Sequence, residues 1–156
     1  CNTLRIDPRT TTATVLAGEL HDVGRAVVPH ALFARRGLSP QELTAVLNHV
    51  VLGARLLDTC GFSESAEIVR CMHERWDGTG FPGTLAGTAI PIGSRILAVA
   101  NAFETVLNDL GQGDGGIGSA VATVRARRGS AFDPSVVDAL LAELGRGGRK
   151  ATPTAS

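Results

Sequence analysis

Cysteine is scarce in these 156 residues: only Cys1, Cys60 and Cys71 occur, and no two stand in a C-x-x-C spacing. That argues against a disulfide scaffold and makes a reducing compartment, the cytoplasm by default, the expected location. Net charge is lacking as well, with fifteen basic residues against fifteen acidic ones. The balance offers no electrostatic case for a nucleic acid polymer or an anionic membrane as partner. No apolar run approaches the ~20 residues of a membrane-spanning helix. No charged-then-apolar leader opens the chain, which begins at Cys1 instead of Met and so reads as a fragment or trimmed domain. Period-two alternation is missing too, which removes the case for a sheet and leaves an all-α fold.

What is there suffices for one core, since 44% of the residues are hydrophobic. One domain is expected over residues 1–145, followed by a disordered tail over 146–156. Six or so helices are expected. The first spans about 10–22, delivering His21 and Asp22 at its end with Gly24 as a stop. Ser39-Pro40-Gln41-Glu42 is a capping box. Behind it Leu43, Val46, Leu47, Val50, Ala54 and Leu57 predict one long amphipathic helix to Cys60-Gly61. His49 lies at the margin of its stripe, and Gly53 marks a close approach of another segment. A third helix is predicted over 63–74 with His73 inward near its end, then a loop over 77–91. A fourth follows from Ile92 with Asn101 in its middle, packed against the long helix. After a flexible GQGDGG come helices over about 117–128 and 134–144, the last capped by Asp133-Pro134 and stopped by Gly145.

Three of the four histidines, His21, His49 and His73, fall on or at the ends of these helices, and Asp22 adjoins the first. A lone histidine is more often a satisfied core or surface residue. Imidazole nitrogens and a carboxylate brought together by several helices form a donor set for Fe, Mn or Zn.

HDVGRAVVP at 21–29, His49 with Gly53, HERWDGTGFPG at 73–83 and IPIGSRILAVANAFE at 90–104 resemble the HD-GYP family of HD-domain phosphohydrolases, which open the cyclic dinucleotide c-di-GMP. The resemblance implies a helical bundle in which His21, Asp22, His49, His73 and Asn101 supply metal ligands. Asp22 would bridge two ions and Arg25, at the family's lysine position, would hold phosphate through a planar fork. Gly80, Phe81 and Pro82, with Phe81 in the tyrosine place, would form the pocket loop. A local Glu74–Arg75 ion pair would anchor that loop. Asp22, His49 and His73 would converge on one pocket, with Met72 and Asn101 lining it and Arg25 at its rim.

The sequence also departs from that pattern. Met72 stands where the family has a second histidine, Asn101 where it has an aspartate, and NDLGQGDGG where it has a basic stretch. CNTLRIDPRT carries no histidine-bearing helix pattern. The resemblance then implies an incomplete bimetallic centre: a single weakly held divalent ion or none. The expected function is a degenerate HD-GYP module binding a nucleotide or a signalling protein, with weak or no phosphodiesterase activity. The alternative is an active metal-dependent c-di-GMP phosphodiesterase, and a weaker third is a one-metal phosphohydrolase acting on a nucleotide monophosphate. A homodimer is left open.

Overall fold

In a computed structural model, residues 4–147 are described apart from Arg36 and Thr84. They form eight α-helices and two short 3-10 turns. Among the described residues the only extended pairing is an isolated bridge between Arg128 and Phe132, so the fold is all-α. The residues after 147, most of the expected tail, lie outside the described set, as does Cys1.

Helix α1 (Pro8–Leu20) starts two residues before the expected Thr10 because Asp7 caps it, accepting from the Thr10 amide at 3.0 Å with Pro8 in the first turn. Within the helix, Thr11, Thr12 and Thr14 turn their hydroxyls back to carbonyls four residues earlier, so these side chains are satisfied without breaking it. Gly24 does not stop α1, which ends at Leu20 with His21 as its cap. Gly24 belongs instead to a 3-10 turn over Val23–Val27.

The expected long helix is two. A short helix α2 (His30–Ala34) precedes α3 (Pro40–Leu47), whose capping box between Ser39 and Glu42 is present in both directions. Asn48 then interrupts the run, and α4 (His49–Thr59) begins anew. Helix α5 (Ser63–Arg70) stops earlier than expected, because Cys71–His73 leave the helix as a buried turn. Helix α6 (Ile92–Leu110) carries Asn101 mid-span. Helix α7 (Asp114–Ala126) begins within the expected flexible glycine run, capped at Gly113, and α8 (Pro134–Gly147) passes through Gly145.

Two hydrophobic clusters meet on α6. One joins α1, α4 and α5 through Ala17, Val50, Ala54, Val69 and Met72, with Leu97 from α6. The other joins α6, α7 and α8 through Val99, Val124, Phe132 and Val137. Small residues allow the close crossings in the first. Ser65 donates to the Ala13 carbonyl at 3.0 Å, Ser94 donates to the Ile68 carbonyl at 2.9 Å, and a Cβ on Gly93 would come within 2.6 Å of Ile68 and Thr14. Contrary to expectation, α4 packs chiefly on α5 and the 3-10 turn, while α6 packs on α1, α5 and α7. Helix α5 takes the place beside α6 that the long helix was assigned.

Candidate active site

His21 caps α1, and its Nδ1 lies 2.7 Å from the Gly18 carbonyl. His49 opens α4 just past the Asn48 break, and its Nδ1 lies 2.6 Å from the Val46 carbonyl. A carbonyl only accepts, so both rings carry their proton on Nδ1. Both turn Nε2 toward one atom, Asp22 Oδ1, at 3.6 Å from His21 and 3.7 Å from His49. These distances are too long for hydrogen bonds. The other carboxylate oxygen, Oδ2, accepts from Arg25 Nη1 at 2.6 Å.

Backbone packing holds the Asp22 turn against α4. A Cβ on Gly24 would stand 1.9 Å from the His49 carbonyl oxygen and 2.6 Å from the Gly53 amide. The close approach anticipated at Gly53 is therefore the chain at Gly24, with only glycine fitting on the turn side.

His73 follows α5, its ring edge-on to His49 with centroids 5.4 Å apart. Burial first, and then the neighbouring His49 ring, push its pKa from 6.5 down to about 4, against the opposing pull of Asp22. His73 is neutral at pH 7. Between pH 6.5 and 4 the unfolded chain takes up a proton at this position and the folded chain does not, so stability falls as pH drops through that window. In chelator-containing buffer, urea titrations at pH 7, 5 and 4 are expected to show this loss. His73→Gln is expected to flatten it by on the order of 1–3 kcal/mol; an unchanged slope would remove the burial account.

His73, Met72 and Asn101 line a cavity of about 340 Å³ between the two clusters, closed by Thr123 and Arg127 of the α7 end and by Phe132. His21, Asp22 and His49 are not in its lining; His73, which is, meets the His49 ring edge-on. Met72 is fully buried in the first cluster as a packing residue.

The loop after His73 is pinned, but not as expected. Arg75 does not pair with Glu74; it bonds both Asp77 oxygens, at 3.1 and 2.7 Å, and Thr79. That pairing and the Thr79 hydrogen bonds hold the Asp77 carboxyl well below the usual range. Glu74 turns inward, buried, and accepts from the Gly83 amide. The loop is sewn to the turn before α8 by the Trp76 and Asp77 amides, which donate to the Ala131 and Ser130 carbonyls. Gly80 lies over the Glu74–Arg75 backbone so closely that a Cβ would meet the Arg75 amide at 2.3 Å. Phe81 packs on the first cluster and its amide donates to the His73 carbonyl at 2.9 Å, while Pro82 is exposed.

Phe33, beneath Arg25, and Arg127, on the cavity wall, were missed from the sequence. Neither has a periodic or motif signal, because each is placed by tertiary packing.

A family model for the HD domain matches residues 1–136. The chain belongs to the HD-domain family. The HD-GYP resemblance is borne out among its relatives. A probable cyclic di-GMP phosphodiesterase of Vibrio cholerae is 33% identical over 81% of this chain, which covers 31% of that protein. The cyclic di-GMP phosphodiesterase response regulator RpfG of Xanthomonas campestris is 36% identical over 81% of the chain and 35% of its own length. This HD domain thus spans about a third of the curated relatives it matches. A solved cyclic GMP-AMP-specific phosphodiesterase of V. cholerae superposes with a TM-score of 0.75 at 21% identity, over 94% of this chain and 41% of that one. It supports the fold. No helix of the described residues is long and apolar enough to cross a membrane.

HD-domain phosphodiesterases imply a divalent metal. In donor chemistry, two imidazole lone pairs and a carboxylate oxygen facing one another, with both rings oriented by backbone carbonyls, fit a first-row divalent ion. In spacing the trio is slightly open. Donor atoms about 2.0–2.2 Å from an ion stand roughly 3–3.6 Å apart, and the two spacings here are 3.6 and 3.7 Å. Accordingly, no group of three or more His, Cys, Asp or Glu side chains among the described residues forms a ready-made metal cage.

Proposed function

We propose that this chain cleaves a phosphodiester bond of a cyclic dinucleotide, c-di-GMP first, in a metal-dependent reaction. The observation that carries the reading is the Asp22 carboxylate faced by two Nε2 lone pairs, with a guanidinium on its far oxygen. Similarity along most of the chain to proteins named as cyclic-dinucleotide phosphodiesterases favours this alternative over the degenerate module.

His21, Asp22 and His49 would hold the ion, with His73 beside them. A bound divalent ion would acidify water and offset the charge of the phosphate. Arg25 would hold a non-bridging oxygen as a charge-assisted donor. His73, neutral at pH 7, adds no positive charge beside the ion. The cavity lined by Met72, Asn101 and Arg127 would receive part of the nucleotide.

Met72 and Asn101 motivate the second reading, a module that binds a nucleotide or a signalling protein without cleaving, since neither supplies an imidazole or a charge. The deciding experiment is metal analysis of the purified chain, paired with c-di-GMP turnover in the presence of Fe, Mn or Zn. Binding without turnover in every metal would replace the phosphodiesterase reading with the second.

Asn101→Asp adds a carboxylate to the cavity wall that His73 shares. It is expected to tighten divalent-metal binding by about tenfold, read by calorimetric titration. An unchanged affinity would place residue 101 outside the metal's surroundings. Met72→His, by contrast, buries an imidazole in an apolar cluster, and a loss of about 1–3 kcal/mol in stability is expected unless the ring finds a partner.

A further inference from the structure

Phe33 belongs to neither hydrophobic cluster, although it is half-buried. Its ring face carries the Arg25 guanidinium, with Cζ 4.1 Å from the centroid, and its edge meets His49 at 6.1 Å and 78°. Arg25 in turn bonds Asp22, and Asp22 faces His49, so Phe33, Arg25, Asp22 and His49 close a ring of contacts. Helix α2, which bears Phe33, has a contact at each end. Pro29 precedes it, and the Arg35–Glu42 ion pair at 2.6 Å ties its exit to the α3 capping box.

A guanidinium carbon held over a ring face leaves the group's other N–H donors free to bond elsewhere. Among the described residues, Nη1 is the only Arg25 side-chain nitrogen with a hydrogen-bond partner. Arginine sits on aromatic faces more often than lysine does, so the ring at Phe33 suits the arginine at residue 25.

We infer that Phe33 is a positioning residue for phosphate recognition: its ring holds the Arg25 guanidinium with one edge on Asp22 and the unspent edge presented to a phosphate oxygen beside the histidine pair. The identity of the phosphate as that of a cyclic dinucleotide rests on the proposed function; the platform itself requires only a phosphate oxyanion.

The test follows the Arg25 side-chain N–H signals by NMR while the full chain is titrated with inorganic pyrophosphate in the presence of chelator. The Arg25 signals are expected to move with pyrophosphate. Phe33→Leu is expected to weaken that binding roughly two- to fivefold, and Phe33→Tyr, which keeps the ring, to restore it. In an Arg25→Lys background the Phe33→Leu change is expected to cost less than in the wild-type chain. Arg25 signals indifferent to pyrophosphate, or equal affinity for the Leu and wild-type chains, would overturn the inference. If the platform behaves as described and c-di-GMP is not cleaved, the functional reading fails and this one stands. Cleavage with a KM and a pyrophosphate affinity indifferent to residue 33 gives the converse.

Discussion

Asp22→Asn is expected to lower cyclic-dinucleotide cleavage by at least about 100-fold while leaving the fold as stable as before. The amide oxygen can keep the Arg25 hydrogen bond, and the amide NH2 then faces the Nε2 lone pairs of His21 and His49, which a carboxylate oxygen meets without a proton between them. The variant thus keeps the Arg25 contact through a neutral group and removes the charge that would attract an ion. Steady-state turnover of c-di-GMP, metal content and melting temperature read the three effects separately. Retained turnover would exclude Asp22 from the chemistry. A large drop in melting temperature would mean that the Asp22–Arg25 pair is mainly structural.

The second large effect concerns the backbone. Gly24→Ala places a methyl group 1.9 Å from the His49 carbonyl oxygen and against the Gly53 amide, neither of which can move without displacing α4. A loss of at least about 3 kcal/mol is expected, a large fraction of the roughly 5–15 kcal/mol by which an ordinary domain is stable. Gly53→Ala on the other side of the same crossing makes its nearest contact at 3.2 Å, and alanine favours a helix interior by about 1 kcal/mol over glycine. It is expected to be close to neutral. Urea denaturation of the two variants side by side checks the contrast, and equal effects would show that the crossing is not rigid.

The helical class, the Ser39 capping box, the Asp133-Pro134 start and the adjacency of His21 to Asp22 were legible because each is a local signal. The break at Asn48 was not, since Asn48 keeps helical dihedrals (φ −62°, ψ −13°) and the apolar stripe runs in phase across it. The early end of α5 was hidden for a similar reason: Cys71 and Met72 stay buried after leaving the helix and prolong its pattern. Arg75 was given the nearest carboxylate in sequence, but Glu74 turns to the interior and Arg75 to the surface, where Asp77 waits. Phe33 needed the fold, because nothing in HALFA announces a stacking partner eight residues upstream. Met72 and Asn101 are single departures, whereas similarity to named phosphodiesterases runs along most of the chain.

The interruption at Asn48 has a meaning for anyone wishing to make this protein more robust. Healing it with a strong helix former would be an obvious repair on propensity grounds. Yet at this junction the Val46 carbonyl meets the His49 ring at 2.6 Å, which fixes the tautomer and aims Nε2 at Asp22. The junction at Asn48 is thus a tool setting, and smoothing it would exchange aim for sturdiness.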